Sequence, residues 1–402
     1  MTEPTFQLTL QRKATLTINE RVALLRKSLA GQDNEYDRLS LAEALLSLVQ
    51  DDEVVALLHA GPAHPALAFK SWLTLGRAYA GLEMTADADA AFSQAVSAAG
   101  TVREHSVALS ELAGVYIRRG QLAEARTLIE QALAEDPLTP YAFTRLIGID
   151  LEQDRIVELL ERTDAWLTHE RPTTSVLTGR YLALLAAKRV EEAEYLAGLD
   201  SLVVTEDVPV PDGWPSIEAF NIELERELLA HTGRRRPRSA RTTGGRLRLD
   251  DLLLERSRIF PVLLEMLKTQ IVQRALTLPD HVWSGARPER AFLKTWCTLT
   301  ENGGFDDWHI HPPAWMSGVY YVTMPDSAAT ASDGRGCIAL GMPDLPRVAV
   351  SGGRRRVFKP HGGLLLLFPS HVYHRTYPPL SSRQRASIAF DVGFVGPEYA
   401  TL

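Results

Sequence analysis

Two short stretches carry the side chains best suited to chemistry: Asp306-Asp307-Trp308-His309-Ile310-His311 and, some sixty residues later, Phe368-Pro369-Ser370-His371-Val372-Tyr373-His374. Five of the chain's eleven histidines lie between His309 and His374. Side chains two apart on a β-strand point to the same face, so His309 and His311 can present two imidazoles together. A distant histidine carried in by another strand, His374, would complete a metal site. Open imidazole sites suit Fe(II), Zn or Cu, and a facial triad with vacant positions suits non-haem Fe(II). An H-x-H alone is weak, because Pro312-Pro313 follows at once and ordinary loop histidines look the same. The distal histidine and Arg385-Ala386-Ser387 strengthen it: the arginine stands where it can hold an anionic co-substrate.

The segments between these residues must form the scaffold. Residues 317–322, 336–340 and 363–368 are apolar and β-prone, 291–299 alternates ahead of a turn at Asn302-Gly303-Gly304, and 385–391 closes the series. Tyr320 and Tyr321 must point to opposite faces, so one reaches the pocket while the other packs outside. The small, polar stretch 325–336 reads as a loop over the mouth. Trp308 and Trp315 either line a substrate pocket or pack in the core. His361 and His371 are expected to be structural or to support the ligands.

From about residue 15 to 200 the apolar residues recur at helical spacing. Trp72, Gly76, Tyr79, Ala88, Phe92 and Ala95 fall in the tetratricopeptide order of large, small and aromatic residues, and Leu109, Ala113, Tyr116, Ala125, Ala132 and Pro137 repeat it. The small residues let antiparallel helices approach, the aromatic fills the gap, and the proline stops the second helix. Degraded units at 41–58, 143–166 and 176–199 extend the series to four or five stacked pairs. A concave repeat face suits a peptide or protein partner; a spacer or a dimerisation surface is the plainer use. Oligomeric state is not written in the sequence.

Three prolines, a glycine and acidic residues at 203–215 break the helical pattern. Beyond them, 220–232 reads as an amphipathic helix and 233–241 as a basic loop, solvated or, less simply, meeting an acidic partner or nucleic acid. A helix is expected over 250–276, with Asp250 and Asp251 at the start where the dipole favours them and a stripe of Leu253, Ile259, Leu263, Leu267 and Ile271 against the β-domain.

The length of 402 residues fits two to three domains. A net charge of −7 argues against bulk nucleic-acid binding. Two cysteines, Cys297 and Cys337, are too few for a disulfide framework and fit a reducing compartment. Residues 1–14 lack the apolar core of a signal peptide and no apolar run reaches the length of a membrane span, so the expected location is cytoplasmic.

The order H-x-H-P, S-G-V-Y-Y-V, G-x-L-x-x-F-P-S-x-x-x-H and R-x-S-I-A-F resembles the 2-oxoglutarate/Fe(II)-dependent oxygenases, a branch of the superfamily that contains the prolyl hydroxylases. The resemblance spans roughly residues 240–400 and includes an opening Thr243-Gly244-Gly245. It implies a double-stranded β-helix (jelly roll), Fe(II) at its mouth, 2-oxoglutarate chelating that iron, and O2 as oxidant. The implied reaction hydroxylates a substrate, first a peptide or protein side chain and second a small metabolite, with release of succinate and CO2. By the same resemblance His309 and His374 match the superfamily's two histidines, and Arg385, with Ser387 beside it, matches the arginine that pairs with the far carboxylate. Tyr321 or Tyr320 stands for the tyrosine that often bonds 2-oxoglutarate. One departure stands out: the superfamily usually has H-x-D, and here the third position is His311. Either His311 is the third ligand, or Asp307 supplies a carboxylate, or the protein provides two ligands only; His311 is the first choice.

The expected organisation is therefore α + β: residues 1–202 a tetratricopeptide-like helical domain, 203–245 a linker with a helix and a basic loop, and 246–402 the oxygenase domain. Two other classes remain, a three-histidine metal dioxygenase that does not use 2-oxoglutarate and a non-catalytic tetratricopeptide adaptor.

Overall fold

The structure, a computed structural model, describes residues 6–10, 15–169, 172–236, 245–250, 252–301, 303–325, 334–379, 381 and 384–394. Thr243-Gly244, Asp251, Asn302, the centre of the loop at 325–336 and the end of the basic stretch 233–241 lie outside the described residues. The chain gathers into two compact units, one formed essentially by Leu16–Gln153 and the other by most of the remainder.

The first unit is helical: α1 (Ile18–Gly31), α2 (Glu35–Ser47), α3 (Asp51–Leu58), α4 (Pro65–Gly81), α5 (Thr85–Ala98), α6 (Val102–Arg118), α7 (Leu122–Glu135) and α8 (Ala142–Glu152). Local chemistry sets the starts. Thr17 and Glu20 form a reciprocal capping box, Glu20 N–H to the Thr17 hydroxyl at 3.1 Å and Thr17 N–H to the Glu20 carboxylate at 2.8 Å. Pro65 occupies the first turn of α4, where its missing N–H costs nothing. The expected antiparallel pairs are present as α4/α5 and α6/α7, and their small residues Ala88, Ala95, Ala113, Ala125 and Ala132 have no exposed surface. A Cβ on Gly76 of α4 would stand 2.6 Å from the Phe92 ring of α5. Gly76→Ala is thus expected to destabilise by about 1–3 kcal/mol through overpacking, despite alanine's better helix propensity, and a thermal melt reads the loss.

The second unit holds β1 (Gln7–Leu10), α9 (Ile156–His169), α10 (Thr174–Ala186), α11 (Val190–Ala197), β2 (Val204–Asp207), α12 (Ile217–Ala230), β3 (Arg246–Leu249), α13 (Ile259–Leu276), β4 (Arg290–Thr300), β5 (Ala314–Thr323), β6 (Ile338–Gly341), β7 (Arg355–Phe358), β8 (Leu364–Pro369), β9 (His374–Thr376) and β10 (Arg385–Phe394). Seven strands form one sheet in the order β1-β4-β10-β5-β8-β2, with β3 also on β4, and three form another in the order β7-β6-β9. β1 runs parallel to β4; the other pairings are antiparallel.

Several expectations shift. The contacts divide the chain near residue 153 rather than at the break in sequence pattern after 202. Periodicity reports that a segment is helical, not what it packs against. Helices α10 and α11 are tied to the strands that carry the candidate site: Thr178 donates to the His371 carbonyl at 3.2 Å, and His371 Nε2 bonds the Leu196 carbonyl at 3.0 Å. The stretch expected as linker supplies β2 and α12, and residues 7–10, ahead of the helical repeats, supply β1. The helix expected from Asp250 begins at Ile259. Asp250 instead accepts from Arg235 at 2.7 Å and Arg248 at 2.6 Å, which also ties down the start of the basic stretch. The stripe from Ile259 to Ile271 is buried as expected. Among the described residues no helix is long and apolar enough to cross a membrane.

Candidate metal and anion site

His309 and His311 lie just before β5, and His374 opens β9. Two reciprocal backbone hydrogen bonds of 3.0 Å join His309 to His374 as an isolated bridge, so the H-x-H stretch is held by extended backbone although it belongs to neither sheet. Candidate ligand atoms of His309, His311 and His374 all fall within 4.8 Å of one another. Each ring has its Nδ1 against an oxygen: the Asp307 carbonyl at 2.7 Å for His309, Asp391 Oδ1 at 2.5 Å for His311, and the Val372 carbonyl at 3.3 Å for His374. Carbonyls and an ionised carboxylate only accept, so the proton is assigned to Nδ1 and the lone pair to Nε2 in all three. Burial, and then the neighbouring His309 and His311, holds the pKa of His374 well below the ordinary histidine value, which keeps it neutral as a ligand must be.

The other end of the site is built on β10. Arg385, Ser387 and Ala389 alternate onto one face and line a cavity of about 60 Å³ together with the three histidines, Tyr321 and Trp296. Arg385 is 2% exposed, its closest acceptors are the Gly336 carbonyl and Thr300 Oγ1 at 3.5 Å each, and among the described residues its buried Nε has no partner. Burial lowers its pKa, with Tyr321 and Cys337 opposing. A second guanidinium, Arg246 of β3, shares the cavity, but it is ion-paired with Asp306 and donates to Thr298 Oγ1 at 3.1 Å. Burial pushes the Tyr321 hydroxyl pKa upward, so it remains a donor at neutral pH.

Residues 294–391 match the family described as "Putative 2OG-Fe(II) oxygenase". The match contains His309, His311, His374, Arg385, Ser387 and, as its last residue, Asp391; Arg246 falls outside it. No curated protein matches the chain. Similar solved structures include a Pseudomonas putida prolyl-4-hydroxylase (16% identity, 53% of this chain and 100% of that one, TM-score 0.32). Others are the non-heme alpha ketoglutarate dependent epimerase SnoN from nogalamycin biosynthesis (19%, 53% and 82%, 0.34) and YrrB, a TPR protein with an unusual peptide-binding site (15%, 44% and 90%, 0.33). At TM-scores this low such likenesses carry no weight beside the family match.

The geometry sorts the expected residues. His309, His311, His374, Arg385, Ser387 and Tyr321 meet around one cavity. Tyr320 does not: its hydroxyl donates to Asn221 Oδ1 of α12 at 2.6 Å on the opposite face, as strand alternation requires once Tyr321 points in. Asp307 stays outside the histidine cluster, its Oδ1 accepting the Trp308 N–H at 2.8 Å. Trp308 bonds Asp344 at 2.7 Å, and Trp315 stacks on Trp283 with centroids 4.8 Å apart, so both tryptophans are packing residues. His361 pairs with Asp207 at the surface and His371 is buried against Leu196, in line with structural roles. Arg246, Trp296 and Asp391 had no expected role, and Asp306, though part of the histidine-bearing stretch, had none of its own.

Proposed function

We propose that this chain is an Fe(II)- and 2-oxoglutarate-dependent oxygenase that hydroxylates its substrate, with His309, His311 and His374 as metal ligands and the two sheets as the halves of a jelly roll. The observation that carries this is a pairing within one cavity: three imidazoles whose candidate ligand atoms lie within 4.8 Å of one another, and a buried guanidinium that no carboxylate partners among the described residues. The donor set fits the metal, since open imidazole sites suit Fe(II), and the orphaned Arg385 fits a carboxylate. When bound, iron and 2-oxoglutarate supply the oxidation, consuming O2, releasing succinate and CO2 and placing oxygen in a substrate C–H bond.

The chain's own groups bind and orient. Arg385 offers a planar fork to the far carboxylate, Ser387 and Tyr321 offer hydroxyls beside it, and Phe368 and Val319 line the cavity with apolar surface that limits water. The substrate class we favour is a peptide or protein side chain, in keeping with the helical pairs of the first unit. Cys297 and Cys337 are buried and in no disulfide, which agrees with a reducing compartment such as the cytoplasm.

Anaerobic addition of Fe(II) and 2-oxoglutarate to the apo-protein tests this. A visible charge-transfer band that requires both components is the expected result. Iron binding without the band would favour the three-histidine dioxygenase; no iron binding would leave an adaptor.

A further inference from the structure

The carboxylate that an H-x-D site would place on the metal is displaced by one hydrogen bond. Asp391 of β10 accepts from His311 Nδ1 at 2.5 Å, which leaves Nε2 as that ring's free ligand atom. It is itself held: directly across the strands, Ser317 Oγ donates to the same Oδ1 at 2.8 Å, and Ser317 and Ser370 hydroxyls lie 2.7 Å apart. With the Ser317 proton given to Asp391, Ser370 must donate to Ser317, so the chain runs Ser370 to Ser317 to Asp391. Ser370 is in turn tied to the metal-site backbone, its carbonyl accepting the His311 N–H at 3.4 Å. Both His311 and Asp391 are largely buried, with side chains 16% and 18% exposed, so the pair is shielded from competing water.

We propose that Asp391 is the positioning carboxylate of the metal site. It holds His311 in the Nδ1–H tautomer, aims Nε2 into the cluster, and supplies through the imidazole a negative charge that three neutral histidine ligands lack. The proposal rests on the metal-site reading above and goes beyond it, because that reading gives Asp391 no role. Partners of this kind are worth about 10–100-fold in metal affinity.

The test is anaerobic Co(II) and Fe(II) titration of the full-length protein, following the Co(II) visible spectrum, with apo-protein melting as a control for folding. Asp391→Asn is expected to weaken binding about 10–100-fold and alter the Co(II) bands, with little change in apo melting. Because both residues act on one ligand, His311→Ala with Asp391→Asn should bind no worse than His311→Ala alone. His311→Asp alone places two carboxylates together and should bind poorly; adding Asp391→Asn restores an H-x-D site and should recover affinity. Ser317→Ala, a gentler change, should give a smaller loss of the same kind and serves if Asp391→Asn does not fold. Wild-type affinity in Asp391→Asn or Ser317→Ala, additive losses in the double variant, or no recovery in the relocated-charge variant would overturn the proposal while the metal site stands. A parent protein that binds neither metal removes both.

Discussion

Arg385→Ala is expected to weaken 2-oxoglutarate binding on the order of 10²–10³-fold and leave the apo-protein at least as stable as the parent. The two effects have one cause. Arg385 is a buried cation whose only hydrogen bonds on the described residues are two at 3.5 Å, and its Nε has none. Holding it there costs desolvation that no buried acid offsets, so truncation relieves strain in the empty site. With co-substrate bound, the same guanidinium is matched by a carboxylate. Truncating one side of such a buried charged pair costs about 2–5 kcal/mol, and each 1.4 kcal/mol is tenfold in affinity. A purely structural arginine would behave the other way, losing melting temperature and little else. Titrating the charge-transfer band with 2-oxoglutarate and melting the apo-protein separate the cases. Arg385→Lys keeps the charge without the fork and should fall between. Unchanged co-substrate affinity in Arg385→Ala would refute the assignment.

What could be read in the residues beforehand follows what local geometry constrains. Two histidines two apart share a face on any extended backbone, and Tyr320 and Tyr321 must diverge, so both conclusions needed no tertiary information. Which tyrosine turns inward needed the pairing of Tyr321 with Ser387 across β5 and β10. Asp391 was visible in the R-x-S-I-A-F-D run, yet its role depends on lying opposite Ser317 and reaching a ring eighty positions earlier in the chain. Arg246 was hidden for another reason: no local pattern marks it, and only the pairing of β3 with β4 brings it to the cavity. Strands β1 and β2 are four residues each, too short for a period-two pattern to stand out. The helical repeats were legible for the opposite reason, because each unit buries its small residues against its nearest neighbours in sequence.

His374 and His371, three residues apart and both buried, should give opposite phenotypes. His374→Ala removes an Nε2 from the cluster, and iron retention should fall by more than about 100-fold, above the loss typical of a supporting residue. Its backbone bridge to His309 does not depend on the side chain, so the apo fold should survive. His371 is no part of the cluster; its Nε2–H bonds the Leu196 carbonyl at 3.0 Å. His371→Ala strands that carbonyl and leaves a void, at about 2–4 kcal/mol of stability, while the purified protein keeps its iron. The pH dependence separates them further. Burial takes the His371 pKa from 6.5 down to about 4, so between those values the unfolded chain binds the extra proton and stability falls as pH falls. His371→Ala should remove that part of the slope, measurable by denaturant melts of the apo-protein between pH 4 and pH 6.5. If metal analysis found iron lost from His371→Ala and kept in His374→Ala, the ligand would be the wrong histidine of the two, and the bridge to His309 would be scaffold only.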